Sequence, residues 1–268
     1  MIKKFFSRGY VFLVLAFIYV PIFILILFSL NEGKTFAGFE HFQLSFVWYG
    51  KLGEIGDVIL NTVVLAVVSS VIATILGTLG AIGIYYHKGK VGKAIKGASQ
   101  IPVVNSEVVT AFALSMLFIF IGMRHRSIFG LYVGHIALTA PFVVLSVLPK
   151  LKQMDSSLYE AALDLGATPT QALFKVVLPE ILPGIFSGFM LAITLSLDDY
   201  IITATLSPLE FDTISTAVYK AIALNTEQSS EQVPIYRALT TIIFLMTVLV
   251  VIFMNVKASR KNKAKGKV

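Results

Sequence analysis

The sequence predicts an all-α membrane protein whose chain crosses the bilayer about six times. Three observations carry this expectation. Of the 268 residues, 56% are hydrophobic and 14% charged, with a mean hydropathy of +0.83. A soluble domain carries about a quarter charged residues and could not cover its surface from this composition. The apolar residues also gather into long runs, and the basic residues fall between those runs. Arg237, at the mouth of the last run, is the only strongly basic side chain inside any of them.

In chain order the runs are Tyr10–Leu30, Val58–Tyr86, Ala98–Gly122, Ile128–Leu148, Gly184–Leu206 and Ile235–Val256. Each reaches the length of about 20 residues that a helix needs to span hydrocarbon. Backbone polar groups in lipid must be satisfied internally, so the runs are read as helices. Met123–Ser127 leaves room only for a tight turn between the third and fourth.

The basic residues orient the chain. Lys3, Lys4 and Arg8 precede the first run. Lys88, Lys90, Lys93 and Lys96 follow the second, and Lys150, Lys152 and Lys175 follow the fourth. Lys257, Arg260, Lys261, Lys263, Lys265 and Lys267 close the chain. These make up 16 of the 22 Lys and Arg residues, all on one side. The positive-inside rule puts that side, and both termini, in the cytoplasm of a cell inner membrane protein. The net charge of +7 is therefore a topological signal rather than a nucleic-acid surface. Phe28-Ser29-Leu30-Asn31 offers no small-residue cleavage site, so the first run is read as a retained span.

Two outer loops are long. Asn31–Asp57 carries Phe36, Phe39, Phe42, Phe46, Trp48 and Tyr49, which suit either interfacial anchoring or a docking surface. Ser207–Pro234 has room for a short helix around Thr213–Leu224. Cysteine is absent, which excludes disulfides, thiolate metal sites and thiol catalysis. His41, His87, His125 and His135 are scattered, and His135, inside a span, is read as a packed helix residue. Gly89-Lys-Val-Gly-Lys93 has the wrong spacing for a phosphate loop, and no cofactor or metal site is expected.

The cytoplasmic loop, about 149–183, is the most informative segment of the single transmembrane domain, 1–268. Ser157 and Glu160 have capping-box spacing, so a helix is expected from about Leu158, ending at Gly166. Thr168, Pro169 and Gln171 repeat the start signal for a second short helix ending at Pro179. The loop also reads Glu160-Ala161-Ala162, then Gly166, Val176 and Leu178-Pro179. At these spacings it resembles the cytoplasmic signature of ABC importer permeases, with Val in place of the commoner Ile. The resemblance implies a type I importer permease fold in which Glu160, Ala161, Ala162 and Gly166 couple the chain to a separate ATPase.

Three acids fall within the runs: Glu107, Asp198 and Asp199. An ionisable group at membrane depth costs about 2.5–3.5 kcal/mol on insertion scales and commonly lines a pathway or meets a base. Adjacent helical residues point about 100° apart, so one of Asp198 and Asp199 is expected to face the pathway. Asp198 is read either as a pathway acid or as the cap of a helix restarting after Ser196-Leu197. Glu107 follows Pro102 and Asn105 and is read as lying at a helix break or within the span. Tyr19 and Tyr200 could offer aromatic faces to a cation.

The stretch Ser196-Leu-Asp-Asp-Tyr-Ile-Ile-Thr-Ala204, with the aromatic outer loop and the coupling loop, resembles the permease subunits of bacterial spermidine/putrescine importers along nearly the whole chain. That resemblance implies a homologous second permease, two ATP-binding subunits and a periplasmic substrate-binding protein as partners. It makes the cargo a polyamine and the chain a transporter subunit rather than an enzyme. Another small cationic solute or metal complex is the alternative cargo. A secondary transporter would need inverted repeats, which are not evident here.

Overall fold

The computed structural model describes residues 2–33, 42–87, 89, 97, 105–223, 232–249 and 252. Helix α1 covers Ile2–Ser29. Helical turns at Val47–Gly50 and Leu52–Ile55 lead into α2, Gly56–Tyr86. Then come α3, Glu107–Phe120; α4, Ile128–Gln153; α5, Ser157–Asp164; and α6, Pro169–Ala172. A π turn at Leu173–Val177 joins α6 to α7, Leu178–Asp198. Helices α8, Ile201–Leu206, and α9, Ile214–Ala223, follow, and α10 covers Gln232–Leu249.

Among the described residues, five helical stretches are long and apolar enough to cross a membrane: Tyr10–Ser29, Leu52–Tyr86, Ile128–Gln153, Pro169–Asp198 and Gln232–Leu249. They overlap five of the six expected runs. The sixth, Ala98–Gly122, is represented by α3, and most of its N-terminal part lies outside the described residues, as do Phe36, Phe39 and His41 of the first outer loop.

The chain divides into two compact units, one of Met1–Gly56 with Val218–Val268 and the other of Asp57–Ala217. In the first, the outer loop folds back on the end of α1. Trp48 Nε1 donates to Asn31 O at 3.0 Å, Gln43 N donates to Asn31 Oδ1 at 3.0 Å, and Ser29 Oγ and Tyr49 OH lie 2.7 Å apart. Phe28 and Phe42 meet edge to face. Trp48 is 6% exposed, so it serves as packing for this loop rather than as a lipid-facing anchor.

In the second unit α4 is the central helix. Its buried residues include Leu131, Gly134, His135, Leu138, Val143, Val144, Val147 and Leu151, wider than a one-sided stripe. The neighbouring helices approach it where a side chain is missing. A Cβ at Gly77 of α2 would lie 2.7 Å from Val143 Cβ, and one at Gly188 of α7 3.2 Å from Val143 Cα. A Cβ at Gly134 of α4 would lie 2.6 Å from Ile202 of α8. Lipid tails are as apolar as side chains, so helices in a membrane associate through such close backbone approach rather than hydrophobic exclusion.

Three local expectations need correction. Pro179 does not end a helix: α6, the π turn and α7 run on as one helical stretch, so the fifth span is preceded by helix well before Gly184. Proline lacks an N–H and its ring strikes the carbonyl four residues earlier, but the wider π turn just before it, closed by Leu178 N to Leu173 O, accommodates both. At the start of α5 no Ser157 capping box forms. Ser157 is the first helical residue and its N–H donates to Asp155 Oδ1 at 2.9 Å. The fifth run also breaks: α7 ends at Asp198 and α8 begins at Ile201.

Candidate functional site

The cytoplasmic helix pair takes its shape from its caps. Gly166 has φ +86°, the left-handed region where glycine carries no Cβ penalty. Gly166 N donates to Leu163 O at 2.9 Å and Ala167 N to Ala162 O at 3.0 Å, the two bonds of a Schellman stop. Thr168 starts α6 with both bonds of a capping box to Gln171, and Pro169 follows at the first turn. Hydrogen bonds from Ser157 hold the Asp155 carboxyl below the ordinary carboxylate range.

No residue of α5 is buried. Glu160, Ala161 and Gly166 are exposed and Ala162 half-buried. Leu165 is 88% exposed at the joint and Phe174 63% exposed beyond it. Tyr159 turns the other way, against Tyr86 at the end of α2, with ring centroids 5.5 Å apart. The pair therefore presents two acids, Glu160 and Asp164, and several apolar side chains outward from a base packed on the core.

The three intramembrane acids differ in setting. Glu107 is exposed in the first turn of α3, capped by Ser106, whose Oγ accepts from Val109 N at 3.4 Å. A carboxylate there is favoured by the helix dipole. Asp198 is exposed, whereas Asp199 is 4% exposed. It is Asp199, not Asp198, that caps the restarting helix. Its Oδ1 accepts from Ile202 N at 3.2 Å, and its Oδ2 accepts from Thr203 N at 2.9 Å and Thr203 Oγ1 at 3.0 Å. Asp199 itself is extended, at φ −64° and ψ 126°, which lets the chain leave α7. Tyr200 is half-buried next to it, and Tyr19 is 55% exposed on α1.

The alternation follows from a buried stripe that starts at the end of the π turn and runs along α7. Val177, Ile181, Gly184, Gly188, Ala192 and Ser196 recur every three or four residues, and Asp199 and Thr203 continue the register. Asp198 is one residue off it. The stripe sets small residues four apart from Gly184 to Ser196, a packing signal in the sequence that would have assigned the two acids to different faces.

The structure also assembles a polar cluster that sequence reasoning did not foresee. His135 is fully buried, with Nδ1 2.7 Å from Ser196 Oγ and Nε2 3.0 Å from Thr203 Oγ1. Ser196 Oγ lies 3.2 Å from Ser69 Oγ of α2, and Ser215 Oγ donates to Asp199 O at 2.6 Å. The reading of His135 as a packed residue was right about its burial and silent about its partners.

A model of the binding-protein-dependent transport system inner membrane component family matches residues 73–263. The spermidine/putrescine transport system permease protein PotC of Haemophilus influenzae is 28% identical, over 98% of this chain and 99% of its own length. The putrescine transport system permease protein PotI of Escherichia coli strain K12 is 30% identical, over 85% and 81%. Among solved structures, a bacterial ABC transporter that imports the acidic polysaccharide alginate has a chain that superposes with a TM-score of 0.71 at 20% identity, covering 97% of this chain and 95% of that one. The inward-facing methionine transporter MetNI gives 0.60 at 16%, covering 80% and 99%. At those identities the two structures speak for the fold, which is that of ABC importer permeases. With most of its length matched by the family model, the chain belongs to the binding-protein-dependent transport system inner membrane component family and is a multi-pass permease subunit of an ATP-driven importer, not an enzyme.

Proposed function

We propose that this subunit forms half of a pathway for polyamines, with Asp198 and Glu107 presenting carboxylates to the ammonium groups of the cargo. The observation that carries this reading is the pair of exposed acids, Asp198 at the end of a helix long and apolar enough to cross a membrane and Glu107 in the first turn of the shorter apolar helix α3. No Lys or Arg lies inside the same runs apart from Arg237. Carboxylates give charge-assisted hydrogen bonds to amines, and Tyr200, half-buried beside Asp199, adds an aromatic face for cation–π contact. The names of the PotC and PotI relatives support the same cargo.

In this reading Asp199 belongs to the support of the site rather than to its lining. A homologous second permease completes the pathway and a periplasmic binding protein delivers the cargo. Two ATP-binding subunits dock on the cytoplasmic loop, where Glu160, Ala161, Leu165 and Gly166 are exposed and Ala162 half-buried. Both termini are placed in the cytoplasm in this reading, which the distribution of Lys and Arg supports.

The test is uptake of labelled spermidine by vesicles holding the complete importer. Asp198→Asn and Glu107→Gln should each raise KM about tenfold, the loss of one charge-assisted hydrogen bond. Spermidine binding to the separate periplasmic protein should not change. Wild-type uptake by both variants would remove the acids from the pathway.

A further inference from the structure

The break between α7 and α8 is bridged by one side chain that the transport reading leaves unused. His135, on α4, reaches Ser196 at the end of α7 with Nδ1 and Thr203 of α8 with Nε2, at 2.7 and 3.0 Å. Nε2 also lies 3.5 Å from Asp199 Oδ2. A single imidazole thus holds both sides of the break and faces the residue at its centre. Thr203 spends its hydroxyl proton on Asp199 Oδ2 at 3.0 Å, so its oxygen is left to accept, and Nε2 must carry the proton it receives.

The cluster is sealed. His135 and Thr203 are 0% exposed, and Ser69, Ser196 and Asp199 are 4% or less. Buried polar groups that satisfy one another select one arrangement, because any slip leaves a group unmatched away from water. Ser69 extends the hold to α2, and Ser215 ties down Asp199 O.

Asp198 lies inside this clamp. Two residues earlier Ser196 is held by His135, and one residue later Asp199 is held by Ile202, Thr203 and Ser215. With both flanks fixed, Asp198 has no freedom to turn inward, and it stands exposed. We propose that His135 is a positioning residue of the importer: by spanning the helix break through Ser196 and Thr203 it holds the Asp198 carboxylate on the exposed face of the subunit, in the attitude in which it meets a cationic cargo. The cargo part rests on the polyamine reading above, whereas the positioning part does not.

The absence of cysteine from the chain allows a direct test. Asp198→Cys is introduced into the complete reconstituted importer, with Leu209→Cys, at a site 76% exposed, as a separate control. The rate of labelling by a membrane-impermeant cationic thiol reagent is followed on this subunit, resolved by mass, without spermidine. Thr203→Val removes only the bridging hydroxyl at nearly constant shape, and His135→Ala removes the clamp.

Either change breaks two hydrogen bonds of the cluster and should shift the labelling rate at position 198 by at least about three- to tenfold, the worth of one of them, and leave position 209 unaltered. His135→Gln, which keeps a donor and an acceptor, should restore most of it. With Asp198 present, Thr203→Val should raise the KM for spermidine while the maximal rate stays within about twofold, the pattern of an impaired binding attitude. An unchanged rate at 198 in Thr203→Val would overturn the proposal, as would equal shifts at 198 and 209. A repeat with spermidine at a concentration that saturates the Asp198→Cys variant separates the two readings: no protection at 198 removes the polyamine contact and leaves the positioning result standing.

Discussion

Asp198 and Asp199 adjoin in sequence, yet the carboxylate of Asp199 accepts three hydrogen bonds in the buried interior while Asp198 stands exposed. The chain leaves the helix at Asp199, so the two acids have separate duties: one ends a helix break, the other faces outward. Asp199→Ala strips the partners from two buried N–H groups and should lower stability by about 1–3 kcal/mol. Asp198→Ala should leave stability within about 0.5 kcal/mol. Thermal unfolding of the purified assembly distinguishes them; equal losses would show that the exposed acid is also a structural one.

Close helix contact at Gly77 gives a second test. A methyl group there would stand 2.7 Å from Val143 Cβ and 2.8 Å from Ala140 O, whereas Gly83, on the same helix, has nothing within 4 Å. Gly77→Ala should therefore destabilise by about 1–3 kcal/mol through overpacking. Gly83→Ala should be neutral or stabilise by up to about 1 kcal/mol through helix propensity. The same order of melting temperatures for both variants would contradict the packing described for α2 and α4.

For the cytoplasmic loop, the proposed ATPase docking predicts that Glu160→Lys abolishes ATP-driven uptake while the subunit still inserts, because charge reversal at this exposed acid would oppose the partner. Gly166→Ala should give a milder loss, since its φ of +86° disfavours a Cβ by about 1–2 kcal/mol. Uptake at the wild-type rate by Glu160→Lys would place the ATPase contact elsewhere.

Topology is open to a similar check. Reporter fusions at Lys93 and Asn225 should report opposite sides of the membrane, cytoplasmic for the first. The same side for both would break the arrangement inferred from the basic residues.

Much of the fold was legible because it follows from solvent. Apolar run length marks the spans, and Gly166 and the Thr168–Gln171 pair act within a few residues of themselves. Local rules failed where a neighbour supplied what they assume missing. Asp155 took the cap that Ser157 was expected to make, and the π turn at Leu173–Val177 let the helix pass Pro179. The bridge from His135 to Ser196 and Thr203 was beyond local reading, because it joins residues 61 and 68 positions apart. The face of Asp198 was nevertheless implicit in the small-residue spacing from Gly184 to Ser196.

The most direct measurement of the central claim is uptake of labelled spermidine into vesicles that hold this subunit with its second permease, ATPases and binding protein. Uptake should require ATP on the ATPase side, compete with putrescine, and fall sharply in Asp198→Asn at low spermidine. ATP-driven transport of a neutral or anionic solute by the same vesicles, with no spermidine accumulated, would contradict the account.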